Sequence, residues 1–487
     1  MVFSIREILH GKETDNDAAP LENVLRNSSW LYATQLISGL LTFVQAVIIA
    51  RTLGVQAFGV LALVTTYVLL VIQLIDSRIW EAITTFVQRF RSSGANEKAA
   101  GVIQVCFLME VLTGMVALGV LLVTADWASR VFIHDGSTAP LIRLFALLAL
   151  VNIPQEASTA ILRVSGHFNW IAYQSAGASA LKTICVAVLC WAAPSVGGLL
   201  LVQLAVAAIA VVVLIVMAHA ATRGMGLQVL GFNQTRHLKG HLGELFQFIF
   251  LSNVIATSRI FTSKVDTLIL GFYTTPAGAG IYELAKRLVS QTAVLRTPLN
   301  QSVFPTISAL VARKDFGRLR QLQTRISKLA AVVAVFVSTL GCLAAPTLIR
   351  IVFGAKFADS ALVFQILIWQ LISVPLIWLP GYLLALGYVW RQTAICVFDA
   401  LIYLVLLVVM APTLGIWGVA IASVLRVAIW IVMALGVLVY TNKNLVVCNG
   451  AGDNATGRDD LPPAHRGNVD GSDLQLSRIP TPQRGVC

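Results

Sequence analysis

The stretch "TLILGFYTTPAGAGIYELA", residues 267–285, decides the architecture, because "VIIARTLGVQAFGVLAL", residues 47–63, follows the same course. In each, an aliphatic run leads through a glycine-containing turn into a second apolar helix, opened by "AGI" or by "FGV". Similarity that recurs at corresponding places is the mark of an internal structural repeat. Two halves are therefore expected, each opened by a helical hairpin.

Composition fixes the medium. Hydrophobic residues make up 57% of the 487 and charged residues 12%, with a mean hydropathy of +0.81. A soluble chain carries about 25% charged residues. The fold class is an all-α polytopic membrane protein. Twelve spans are predicted, at about 29–50, 58–76, 101–124, 141–158, 169–192, 195–219, 246–272, 279–299, 329–347, 362–386, 391–411 and 414–439. The fourth is short and interrupted by Pro154 and Glu156. Two polar amphipathic connectors, 77–100 and 303–328, stand between spans, and "ARKDFGRLRQLQTRISK" (312–328) reads as an interfacial helix on an anionic leaflet.

Loop charge orients the bundle. Connectors after even-numbered spans hold the basic residues from Arg78 and Arg89 to Lys328 and Arg391, whereas those after odd-numbered spans hold only Arg51, Arg130, Arg350 and Lys356. Basic loops stay cytoplasmic during insertion, so both termini are expected inside. The predicted layout is a cytoplasmic segment 1–28, an N-lobe 29–220 of six helices, a basic connector 221–245, a C-lobe 246–440 of six helices and a disordered tail 441–487. Residues 1–28 lack the apolar core of a signal peptide, so the first span is expected to be an uncleaved insertion signal. Six spans per half give the halves the same orientation.

Several function classes fall away. The net charge of +12 is spread over short loops beside apolar spans, which argues against nucleic acid as a partner. The seven cysteines show no paired spacing, and no metal site or cofactor is expected. "HLKGH" (237–241) lacks the acid of a zinc-protease helix, and no Walker A sequence is present. The chain reads as a non-enzyme.

"VDTLILGFYTTPAGAGIYELAKRL" (265–288), "NQSVFPTISAL" (300–310) and "PTLIRIVFGAKFADSALVFQIL" (346–367) resemble the Wzx-type polysaccharide flippases of the multidrug/oligosaccharidyl-lipid/polysaccharide (MOP) exporter superfamily. "ARTLGVQAFGVLALV" (50–64) is similar to the first hairpin of that family, and the resemblance covers roughly residues 25–440. It implies two six-helix lobes around a central cavity in a bacterial inner membrane. It also implies transfer of polyprenyl-pyrophosphate-linked oligosaccharide to the periplasmic leaflet, with membrane lipids and a polysaccharide polymerase and co-polymerase as partners. A cation-coupled multidrug exporter on the same fold is the alternative, followed by a membrane polymerase or ligase.

Charges inside the spans nominate the site, since each costs about 2.5–3.5 kcal/mol at a helix centre. Arg259 falls at the middle of span seven; Lys264 and Asp266 follow it. Asp266 is expected to reach Lys286 or Arg287, or to serve in coupling, and Glu283 and Arg287 have favourable i, i+4 spacing for a structural pair. Arg259 and Lys264, with Lys182 of span five and Arg296 of span eight, are the candidates to meet a pyrophosphate, which needs several donors at once. Asp399 and Arg426 sit at matching depth in one hairpin and read as a structural ion pair, with a cavity role as the alternative. Glu110 reads either as a partner of Lys182 or as a coupling carboxylate.

Overall fold

A computed structural model of the protein describes residues 18–76, 79–226, 238, 240–292, 307–308, 310–311, 313 and 315–453. Every regular element among them is helical. The helices are α1 (Ala18–Ile75), α2 (Ile79–Ser92), α3 (Asn96–Ala128), α4 (Ala139–Ala146), α5 (Leu148–Asn152), α6 (Gln155–Val164), α7 (Phe168–Ala192), α8 (Val196–Gly224), α9 (Leu242–Tyr273), α10 (Pro276–Gln291), α11 (Phe316–Phe353), α12 (Ser360–Leu367), α13 (Leu379–Ala385) and α14 (Val389–Asp453). Among the described residues, eight segments are long and apolar enough to cross a membrane, and two of them, Thr34–Ser92 and Trp390–Tyr440, are 59 and 51 residues long. Within each, the long helix carries one glycine in a conformation closed to most residues: Gly54 (φ 76°) in α1 and Gly415 (φ 56°) in α14.

Three elements differ from the sequence reading. Residues 316–328 form no separate interfacial helix; they continue without a break into the 38-residue α11, because no glycine or proline stands between Arg318 and Leu340. The fourth span is three short helices, α4 to α6, interrupted at Leu147 and at Ile153–Pro154, where proline removes a backbone donor. The last helix runs to Asp453, past the boundary expected at 441. Arg296 and the prolines beside it, Pro298 and Pro305, lie outside the described residues, as does the rest of the tail.

Contacts gather Met1–Ile429 into one compact unit and Trp430–Cys487 into another. The packing explains why. One apolar cluster lies in the first half and includes Ile83, Phe86, Ile103 and Leu162; another lies in the second half and includes Tyr282, Val363, Tyr403 and Val419. A third is shared: Phe58, Leu63 and Leu199 pack in one cluster with Ala279, Leu284 and Phe357.

The shared cluster is where the two repeated stretches touch. A Cβ on Gly59 would lie 1.7 Å from the Pro276 carbonyl oxygen, and one on Gly280 would lie 2.6 Å from the Val55 oxygen. The glycines of "FGV" and "AGI" thus let α1 and α10 meet backbone to backbone, the close approach that small residues permit in membranes. Arg51 ties the same end: its Nε donates to the Val352 oxygen at 2.7 Å, and its guanidinium also donates to the Ile351 carbonyl. Those carbonyls belong to the last turn of α11, which has no intrahelical donors left for them.

Candidate functional site

α9 carries the charges that opened the question. Its first turns belong to the first-half cluster through Leu245 and Ile249, while Leu270 belongs to the second-half cluster. Arg89 pairs with Glu244 at 2.6 Å, and Phe86 meets Phe248 edge-on at 5.7 Å, holding the helix start against α2. The middle of α9 therefore crosses from one half to the other. Arg259 sits there, exposed, and its guanidinium makes no hydrogen bond or ion pair among the described residues.

Asp266, seven residues on, is held differently. Its carboxylate is 3% exposed, and Lys286 Nζ lies 2.6 Å from Oδ1. The Tyr282 hydroxyl donates to Oδ2 at 2.7 Å, and the Tyr403 hydroxyl approaches Oδ2 at 3.3 Å. Ser423 joins both tyrosines, at 3.2 and 2.7 Å. Asp266 is thus the hub of a satisfied network across α9, α10 and both arms of α14. A buried polar network satisfied in this way rigidifies the packing around it.

The remaining cations gather where the halves face each other. Arg287 Nε lies 3.0 Å from Glu283, and its guanidinium rests 5.4 Å over the Phe58 ring of the first half. Lys182, from α7, is within electrostatic range of Arg287, and Lys264 is within range of Lys286, Glu283, Arg287 and Asp266. Four cations (Lys182, Lys264, Lys286, Arg287) against two acids (Asp266, Glu283) leave a formal excess of two positive charges. Neutral polar groups border it on the first half: Lys182 Nζ donates to Gln203 Oε1 at 3.4 Å, and Gln45 Nε2 donates to Thr183 Oγ1 at 2.8 Å. The sequence reading passed over Gln45 and Gln203, although a glutamine inside an apolar span was the available signal.

Glu110 and Lys182 are not brought together. Glu110 is 4% exposed, and its Oε1 accepts from the Ala157 backbone N–H at 3.2 Å, in the first turn of α6. Lys182 is elsewhere, on Gln203. Glu110 lies on α3 and Lys182 on α7, and position along two separate helices does not say which of their faces meet.

Asp399 Oδ2 and Arg426 Nη1 lie 3.1 Å apart, and the guanidinium lies 4.9 Å over the Tyr403 ring. Both side chains are largely buried, so either alone would be an uncompensated charge. Reversing one charge (Asp399→Arg or Arg426→Asp) is expected to cut the yield of folded protein in the membrane severalfold, and the double swap to restore it. Equal loss in single and double variants, measured by fluorescence size-exclusion, would show that the pair has no structural role.

Comparison with known proteins places this geometry. A family model described as polysaccharide biosynthesis protein matches residues 48–362. Inner membrane protein YghQ of Escherichia coli (strain K12) is 21% identical over 354 residues, 69% of this chain and 94% of that one. The probable low-salt glycan biosynthesis flippase Agl15 of Haloferax volcanii is 26% identical over 238 residues, 48% of this chain and half of that relative's length. Among solved structures, an inward-facing MATE-family multidrug transporter of the MOP superfamily superposes with a TM-score of 0.68 at 15% identity, covering 83% of this chain and 96% of that one. The inward closed lipid II flippase MurJ gives 0.66 at 14% identity, covering 84% and 87%. The paired hairpins, the shared seam and the family match over most of the bundle bear out the Wzx-type resemblance, and the chain belongs to the polysaccharide biosynthesis protein family of the MOP fold.

Proposed function

We propose that the chain is a flippase that moves polyprenyl-pyrophosphate-linked oligosaccharide repeat units from the cytoplasmic to the periplasmic leaflet of a bacterial inner membrane, feeding exopolysaccharide, capsule or O-antigen assembly. The observation that carries this reading is the exposed Arg259, unpaired among the described residues, at the point where α9 crosses between the halves, beside a cluster with excess positive charge. A cation facing lipid is costly, whereas one facing a polar cavity is not. A guanidinium matches a diphosphate by its planar fork, and Lys264 and Lys182 add point charges. Gln45, Thr183 and Gln203 offer groups of the kind that hydrogen-bond sugar hydroxyls. The positive excess disfavours the cationic amphiphiles that many drug exporters carry.

The twelve-span topology belongs to the same proposal. Two of the eight apolar segments hold two spans each, giving ten, and α9 and α10 supply the other two. With basic loops inside, the Arg89–Glu244 end faces the cytoplasm and the Gly59–Gly280 end the periplasm. Alternating access then requires the glycine seam to part and the α2–α9 contact to tighten or yield in turn.

Arg259→Ala tests the reading. A hydrogen bond to a charged group contributes about 1.5–3 kcal/mol, so leaflet transfer of a defined lipid-linked oligosaccharide in proteoliposomes should fall roughly 10- to 100-fold. Membrane abundance should stay normal. Transfer at the wild-type rate would remove Arg259 from the substrate path.

A further inference from the structure

The second half carries two hollows that run into each other. One, of about 540 Å³, is lined by Cys342, Ile366, Trp369, Trp417 and Val424; the other, of about 400 Å³, is lined by Pro346, Thr347, Arg350 and Ile351; Leu362 and Gln365 line both. Each falls within the roughly 300–1,000 Å³ of small-molecule sites. The groove is built around a proline. Pro346 stands inside α11 and has no N–H for the Cys342 carbonyl four residues back. Gln365 of α12 supplies the missing donor: its Nε2 donates to the Cys342 oxygen at 2.8 Å, and the Cys342 thiol donates to the Gln365 carbonyl at 3.5 Å. α11 and α12 are thus pinned together where the hollows join. Leu362 and Ile351 are exposed beside that pin, so the groove opens on the surface that faces lipid.

One end of the groove is cationic and the rest is largely apolar. Arg350 is exposed, and its guanidinium makes no hydrogen bond or ion pair among the described residues. Thr347, three residues before it, shares its face of α11. The Thr347 hydroxyl has no partner among the described residues either, whereas those of Thr65, Thr113 and Thr274 turn back on their own helices. No acid lines either hollow. Cys342 is eight residues from Arg350, so the apolar part begins about 12 Å along the helix from the cation. Tryptophan is enriched where headgroups meet hydrocarbon, and Trp417 stands two residues past Gly415, between the arms of α14. One free guanidinium, one free hydroxyl and an apolar channel match an amphiphile with a single negative charge. A diphosphate calls for more donors than this. The groove shares no residue with the cationic cluster around α9.

We propose that this groove binds an anionic phospholipid, with the phosphodiester on Arg350 and Thr347 and one acyl chain along Leu362, Trp369 and Trp417. Its place in the periplasmic leaflet rests on the topology proposed above; the binding itself does not rest on transport. Native mass spectrometry of the purified full-length protein, titrated with dioleoyl phosphatidylglycerol or dioleoyl phosphatidylethanolamine, tests it. The tightest site should prefer phosphatidylglycerol. Arg350→Gln should weaken that lipid roughly 10- to 100-fold, the range for a hydrogen bond to a charged group, and leave phosphatidylethanolamine unchanged. Leu362→Trp, which fills the groove from an exposed position, should block the site, while Leu343→Trp, also exposed on α11 but outside the groove, should not. Equal affinity for the two lipids, or unchanged binding in Arg350→Gln or in Leu362→Trp, overturns the proposal. So does a polyprenyl monophosphate that binds more tightly than phosphatidylglycerol and loses that advantage in Arg350→Gln. In spheroplasts, Arg350→Cys should react with a membrane-impermeant thiol reagent well above the wild-type background. Reaction only after lysis overturns the periplasmic placement and the topology behind it, and leaves the binding result standing.

Discussion

A single methyl group at Gly59 is expected to hold the lobes apart. Its position in Gly59→Ala would fall 1.7 Å from the Pro276 oxygen and 2.5 Å from the Pro276 carbonyl carbon, both backbone atoms that no rotamer change can move. The helices must separate instead, and the Phe58–Phe357 edge contact at 5.7 Å and the Arg51 bonds to the end of α11 open with them. Overpacking of this kind costs about 1–3 kcal/mol, which lowers the population of the closed seam roughly 5- to 150-fold. Labelling of a cysteine at Val55 by a membrane-impermeant thiol reagent should rise accordingly, and transfer should fall by a similar factor. Gly119→Ala is the control, since a Cβ there meets nothing within 4 Å. Unchanged labelling and transfer in Gly59→Ala would mean that this seam does not open during the cycle.

The seam also shows what a sequence can disclose. Residues 47–63 and 267–285 were legible as related stretches because each must solve the same local problem, an apolar helix turning back on itself through glycine. Their meeting each other was not legible, since it depends on two helices more than two hundred residues apart in sequence packing glycine against backbone. Charge pairing divides in the same way. Asp399 with Arg426, and Glu283 with Arg287, are within a hairpin or a helix turn of each other, so spacing alone put them in range. The bond that holds Glu110 joins α3 to α6, and α6 exists as a separate helix only because the chain breaks at Pro154. Hydropathy averages over such a break and reports one span. The same averaging cut α11 at its polar first turns, where the helix itself continues.

Lys286→Met should be the most damaging single change in the second half. Lys286 Nζ is 2.6 Å from Asp266 Oδ1 and 2.7 Å from the Ser263 carbonyl oxygen, and the lysine side chain is 26% exposed against 4% for the aspartate. Removing the ammonium leaves a buried carboxylate whose other partners, Tyr282, Tyr403 and the Thr267 N–H, are neutral. Breaking a buried pair from one side costs about 3–5 kcal/mol, enough to lower the apparent Tm of the purified protein by several degrees and to reduce its yield. Asp266→Asn alone should cost less, because Lys286 can turn toward water and keep its bond to Ser263, while the amide oxygen still accepts from the tyrosines. The double variant should therefore recover most of the stability that Lys286→Met loses. A Lys286→Met protein as stable as the wild type would show that the Lys286–Asp266 pair does not hold α9 against α10. The comparison matters for transport because it separates the two kinds of cation on this face. Lys286 is bound to its own helix pair and should affect folding first, whereas Arg259 has no such partner among the described residues and should affect transfer without affecting yield.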